Sequence, residues 1–154
     1  MREELIAQAA AAVREIVNFD VGQLYGELEI RRRMLADDPQ IAGSFDVVGE
    51  ERASFAESVA VLSRMGRDFF ARFNRDLYGV VCGASKDAKD IRAKVLGAMT
   101  DEVSVTAYLA TCAVVYLGVA PAIATVVAVL VNKLVLKNAK ETLCAEWKES
   151  LSLP

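Results

Sequence analysis

The residue types that carry most enzyme chemistry are scarce in this chain. Its 154 residues include no histidine, which excludes Ser-His-Asp and Cys-His catalysis, histidine zinc sites and the Glu-x-x-His di-iron pattern of helical bundles. There is no G-x-x-x-x-G-K-[ST] loop and no G-x-G-x-x-G fingerprint, since Gly22 and Gly26 are a lone pair four residues apart. We therefore predict a protein that is not an enzyme and that binds no cofactor.

Three carboxylates, Asp46, Glu50 and Glu51, form the grouping best suited to a metal ion, because oxygen ligands are those that magnesium prefers. They stand where a loop meets a predicted helix, and acidic side chains at that place also stabilise the positive end of a helix dipole. The structural interpretation is favoured, so we predict no metal site. A carboxylate enzyme is the third functional hypothesis.

The three cysteines, Cys82, Cys112 and Cys144, lie far apart and form no C-x-x-C motif. Such an odd, dispersed set favours reduced thiols in a cytosolic compartment over a disulfide framework. Lys140 lies one turn before Cys144 and could favour its thiolate, but no base accompanies it, so we expect small core residues. Residues 1–17 lack a signal-peptide pattern, which is consistent with a cytoplasmic location.

The sharpest basic cluster is Arg31, Arg32 and Arg33, whose guanidinium groups could bind the phosphates of nucleic acid or lipid. Consecutive side chains on a helix point about 100° apart, so the three do not form one patch. Glu27 and Glu29 lie close by, and the 18 basic and 21 acidic residues give a net charge of only −3. We predict a solvated, partly neutralised face and no binding to nucleic acid.

Apolar residues recur at three- and four-residue steps through most of the chain, which predicts amphipathic helices. The residues discussed above are therefore expected to lie on helices or on the short segments between them. Asp38 precedes Pro39, which ends the second helix, and Gly83 ends the third. Gly66, inside the third, indicates a bend or a close helix contact. The predicted helices are 3–17, 21–38, 50–81, 86–99, 102–117 and 121–150, with a loop at 39–49.

The most unusual feature is the stretch 103–132, which holds no charged residue. Gly118 and Pro121 divide it into two antiparallel helices, and the turn 117–120 lacks polar residues, which fits a tip buried in protein or inserted in lipid. The stretch exceeds the ~20 residues of one membrane span, but its pieces are short and rich in Ala, Thr and Val. We predict an all-α, single-domain bundle of about six helices in which amphipathic helices within 3–99 cover the apolar hairpin of 101–150.

The functional hypothesis is a non-enzymatic helical module that acts through protein–protein contacts, by self-assembly or by docking to an effector partner. Leu143, Trp147 and Leu151 are the candidate interface residues, because a lone late tryptophan is an effective anchor. An intramolecular latch for the terminal helix is the favoured alternative for Trp147. The second hypothesis is a membrane-active small effector whose hairpin 103–132 inserts into a bilayer, which would make the protein membrane-associated.

Overall fold

The computed structural model describes residues 2–45, 59–138 and 142–151. Within these ranges the chain forms seven α-helices and two short 3-10 helices, Pro39–Gly43 and Leu136–Asn138, and no strand. The α-helices are α1 (Arg2–Ile16), α2 (Val21–Asp37), α3 (Val59–Cys82), α4 (Lys86–Ala98), α5 (Glu102–Leu117), α6 (Pro121–Leu134) and α7 (Leu143–Leu151). The predicted all-α class is confirmed.

Side-chain caps fix several helix starts. The Asp20 carboxylate accepts the Gln23 backbone N–H at 2.7 Å, and the Gln23 side chain accepts the Asp20 N–H at 2.9 Å, so α2 begins with a reciprocal capping box. The Ser85 hydroxyl accepts the Ala88 N–H at the start of α4. These bonds satisfy backbone donors that the first turn of a helix leaves without partners.

Helix α6 lies at the centre of the fold. Every residue from Ala122 to Asn132 is buried, and α1, α2, α3 and α5 all contact this helix. The same hydrophobic core takes residues from all seven α-helices, including Val13 of α1 and Val95 of α4. The prediction that the uncharged stretch is covered by the chain's own helices is therefore confirmed for α6.

The most extensive helix–helix contact among the described residues joins α2 and α3. At Gly66 the two backbones lie so close that a Cβ atom would overlap the Tyr25 carbonyl oxygen. Tyr25 and Phe70 add a tilted ring contact beside this point, with centroids 5.9 Å apart. The close helix contact that Gly66 indicated in the sequence is confirmed.

The last helix predicted from the sequence, 121–150, is wrong in its extent. Helix α6 ends at Leu134, because Val135 leaves helical geometry at φ −120° and ψ −58°. Neither Pro nor Gly marks this break. Its cause is tertiary, since the chain must turn back for Leu143 and Trp147 to enter the core. The predicted start of the third helix at residue 50 lies outside the described residues.

Replacing Gly66 with alanine is expected to destabilise the protein by about 3 kcal/mol or more, because α2 and α3 must separate to admit the methyl group. Chemical denaturation monitored by circular dichroism measures the loss.

The matched control is Gly79→Ala on the same helix, where an added Cβ meets no atom within 4 Å. There the higher helix propensity of alanine is expected to stabilise the protein by up to about 1 kcal/mol. Equal effects from the two substitutions would contradict a close contact at Gly66.

Candidate functional site

The first candidate site is the hairpin tip, which we define as residues 114–121, between α5 and α6. Gly118 ends α5 in the left-handed conformation, with φ 65°, and donates its N–H to the carbonyls of Ala113 and Val114. The Val119 N–H also donates to the Ala113 carbonyl at 3.3 Å. Pro121 then begins α6, with no side-chain cap before it. Backbone hydrogen bonds from Gly118 and Val119 thus help to hold the turn.

The tip exposes apolar surface to solvent. Val115 is 39% exposed and Tyr116 38% exposed, and these adjacent residues are two of the four large hydrophobic residues that are exposed in the described chain. Leu117 and Val119 are half-buried and pack partly against the core. The other two exposed residues, Leu96 and Leu134, belong to α4 and α6. In the sequence, the absence of polar residues at 117–120 predicted a tip buried in protein or inserted in lipid, and the exposure of Val115 and Tyr116 in the last turn of α5 was not predicted.

The opposite end of the hairpin is tied by polar groups. The buried Asn132 side chain donates to the Glu102 carboxylate at 3.1 Å, which joins the end of α6 to the start of α5. The Lys137 Nζ atom lies 3.8 Å from the Glu102 Oε2 atom. Asp101 caps α5 by accepting the Val103 and Ser104 N–H groups, and the Ser104 hydroxyl and backbone hold the pKa of Asp101 below its usual value. The hairpin is thus fixed at its base and apolar at its tip.

A second candidate is the charged cluster of α2. Arg31 donates to Glu27 at 2.8 Å and to the carbonyl of Ala122, in the first turn of α6, at 2.8 Å. Glu27 and Arg31 are both buried. The prediction of a solvated face is therefore wrong for this pair. The i,i+4 spacing lets Glu27 neutralise Arg31, so that the guanidinium can enter the interface with α6.

The Glu29 side chain is almost completely buried, and it binds the other two arginines, Arg32 and Arg33. One carboxylate accepts hydrogen bonds from Arg32 at 2.8 and 2.6 Å and from Arg33 at 2.6 Å. Burial by itself would raise the pKa of Glu29, but the hydrogen bonds from Arg32 and Arg33, with their positive charges, outweigh it and hold the pKa below the ordinary 4.5. Arg33 also reaches the Met65 sulfur at 3.2 Å, and Arg32 lies over the Phe69 ring. The arginines whose phosphate binding the sequence disfavoured thus join α2 to α3.

Because the pKa of Glu29 is lowered on folding, its contribution to stability is complete above about pH 4.5 and is lost as the pH falls through the lower folded value. Glu29→Gln is therefore expected to cost about 1–3 kcal/mol at pH 7, where it leaves two arginines without a carboxylate. The cost should shrink below pH 4.5. Urea denaturation at pH 7 and at pH 3 to 4 measures the difference, and a cost that does not change with pH would contradict this assignment.

The three interface candidates from the sequence share one helix, α7. Leu143 and Trp147 are buried within the chain, and Leu151 is half-buried. The Trp147 indole N–H donates to the Asn74 side-chain oxygen at 2.8 Å, and its ring meets Tyr78 edge to face with centroids 5.7 Å apart. The structure thus places Trp147 against α3, in the position of an intramolecular latch. A role for the three residues at an interface with another molecule stays a prediction.

A disulfide bond between Cys82 and Cys144 joins the end of α3 to α7. The expectation of reduced thiols is therefore wrong for these two cysteines, and it holds for Cys112, which is buried and forms no disulfide bond. The pairing escaped the sequence because it requires α7 to fold back after the break at Val135. Closing a loop of 62 residues contributes about 4 kcal/mol in the chain-entropy description. Reduced thiols therefore no longer support the predicted cytosolic compartment, which stays a prediction.

Replacing Trp147 with alanine is expected to lower the free energy of unfolding by about 3–5 kcal/mol, because it empties a fully buried site beside Tyr78. Trp147→Phe retains a ring but loses the hydrogen bond to Asn74, so a smaller loss is expected. Thermal melting measures stability, and sedimentation velocity measures association. Lost association with an unchanged melting temperature would instead support the interface role.

The described residues place no three His, Cys, Asp or Glu side chains together in a way that could hold a metal ion. The carboxylates Asp46, Glu50 and Glu51 lie outside the described residues. Within the described ranges, no helix combines the length and the apolar character needed to cross a membrane. The chain matches no family model, no curated protein and no solved structure.

Proposed function

We propose that this protein is a non-enzymatic helical module that acts through protein–protein contacts, and that the hairpin tip is its contact surface. The observation that carries the proposal is the exposure of Val115 and Tyr116 at the end of a hairpin whose remaining length is mostly buried. Exposed apolar surface at the last turn of α5, next to an uncharged turn, is typical of surfaces that another molecule covers.

The backbone geometry of the tip supports this role. The turn is held by the hydrogen bonds from Gly118 and Val119 to the end of α5, and its half-buried residues pack on the core. A surface that is already ordered loses little conformational entropy when it binds. The base of the hairpin, anchored by Glu102 and Asn132, keeps the tip in one place relative to the rest of α5 and α6.

Self-association is the first form of the proposal. The tip carries no charged residue, so two copies can meet without removing an ion from water, and a symmetric dimer brings the same surface of each copy together. A net charge of −3 gives only weak repulsion between copies. Docking of the tip to an effector partner is the second form of the same proposal.

Insertion of the tip into a bilayer is the alternative function. It is favoured by the same exposed apolar residues, together with a tyrosine, which prefers the boundary between lipid and water. In this form only the tip at 114–121 enters the headgroup region, since Ala122–Asn132 is covered by other helices.

Replacing Val115 with aspartate is expected to weaken self-association tenfold or more, because a charge at the contact must lose its water. Sedimentation equilibrium over a range of protein concentrations measures the dissociation constant. The matched control is Leu96→Asp, which changes a similarly exposed side chain, 41% against 39%, on α4. The control should associate like the original protein, and both variants should melt at the original temperature.

A protein that remains monomeric at all concentrations would contradict self-association. Co-flotation with liposomes that is lost with Val115→Asp and kept with Leu96→Asp would then support the bilayer alternative. A pull-down partner that shows the same dependence would support docking to another protein.

A further inference from the structure

Two clefts of equal volume, about 340 Å³ each, lie along the contact between α2 and α3. We call the first the donor cleft; its polar side chains are Tyr25, Ser63, Arg64 and Arg67, and Val21 and Ala60 line its apolar part. Of the residues that the structure describes, no acidic side chain lines it. Among the described residues, neither Arg64 nor Arg67 forms an ion pair.

The second cleft has a different charge and serves as an internal comparison. We call it the balanced cleft, because it is lined by two acidic and two basic side chains, Glu29, Asp68, Arg32 and Arg72. Its Glu29 already accepts hydrogen bonds from Arg32. The two clefts thus share size and flanking helices and differ in whether their cationic groups face carboxylates.

The backbone around the donor cleft is held in place. Gly66 is pressed against the Tyr25 carbonyl, and Arg64 and Arg67 flank this glycine. Residues three apart on a helix share a face, so both arginines lie beside the cleft. Ser63, one turn before Arg67, adds a hydroxyl group on the same side. The cleft therefore lies beside the close backbone approach of α2 and α3 at Gly66.

The polar groups of the donor cleft can all donate hydrogen bonds. Burial raises the pKa of Tyr25 above 10.0, and the charge on Arg67 offsets only part of that rise, so the phenol keeps its proton at neutral pH. Guanidinium groups bind carboxylates and phosphates through paired hydrogen bonds. Asp20, the acid just before α2, is engaged by the Gln23 backbone N–H. The volume suits a small ligand, since ligand sites begin near ~300 Å³.

We propose that the donor cleft is a binding site for a small organic anion, in which Arg64 and Arg67 hold a phosphate or carboxylate group and Val21 and Ala60 contact its apolar body. This site is separate from the hairpin tip and does not depend on the proposed function.

Phenyl phosphate, benzoate and neutral benzyl alcohol are the probes, each titrated into the full chain at constant ionic strength. Isothermal calorimetry gives the dissociation constant, and amide NMR shifts locate the bound probe. We expect saturable binding of at least one of the two anions, with shifts at Tyr25 and Ser63, and no binding of the alcohol. The tighter anion identifies the preferred head group.

The variants Arg67→Gln and Arg72→Gln distinguish binding in the donor cleft from nonspecific attraction of anions to the positive charges of α3. Each removes one exposed arginine from α3, and only Arg67 lines the donor cleft. Arg67→Gln is expected to weaken anion binding about tenfold or more, and Arg67→Lys to retain part of it. Arg72→Gln should bind like the original chain. All three variants should keep the original melting temperature.

Three results would overturn the proposal. The first is an absence of saturable binding of either anion at millimolar concentration. The second is an equal loss of binding in Arg67→Gln and Arg72→Gln, which would show that only the overall charge matters. The third is equal binding of benzyl alcohol, which would show that the cleft recognises the ring and not the anion.

Discussion

Helix α6 has no side that faces water between Ala122 and Asn132, and burial of this uncharged segment is the constraint on which the rest of the molecule depends. A helix that is apolar all round is stable in water only if other helices surround it. Among the described elements, α1, α2, α3 and α5 all contact α6, as do both 3-10 helices. Their apolar faces acquire a common partner in this way, which explains why so much of the chain is amphipathic.

The charges of α2 adapt to this constraint. Arg31 reaches the Ala122 carbonyl at the start of α6 only because Glu27 neutralises it within the buried interface. A buried ion pair adds little net stability, but either ion left alone would be strongly unfavourable. The pair therefore favours one position of α2 against α6 over others. The contact between α2 and α3 has two components. Glu29 binds Arg32 and Arg33 on α2, and the backbones of α2 and α3 lie close together at Gly66.

Sequence periodicity predicted what depends on local spacing. Apolar spacing predicted the helical class, Gly118 and Pro121 predicted the hairpin turn, and Gly66 indicated a bend or a close helix contact, of which the structure shows the contact. Periodicity missed what depends on distant partners. The pairing of Cys82 with Cys144 requires α7 to return to α3, and no Pro or Gly announces the break at Val135. The candidate sites differ in the same way. The apolar turn 117–120 is visible in the sequence because its residues are consecutive, whereas the donor cleft forms only where α2 packs against α3.

The covalent link between α3 and α7 divides the chain into a closed ring and two open arms. Residues 82–144, which include α4, α5 and α6, form the ring, and the segments before Cys82 and after Cys144 are the arms. One backbone cleavage within the ring leaves both fragments joined through sulfur, whereas a cleavage in an arm releases a separate piece. The two helices of the central hairpin therefore stay on one covalently closed segment even when the noncovalent contacts that surround them are lost.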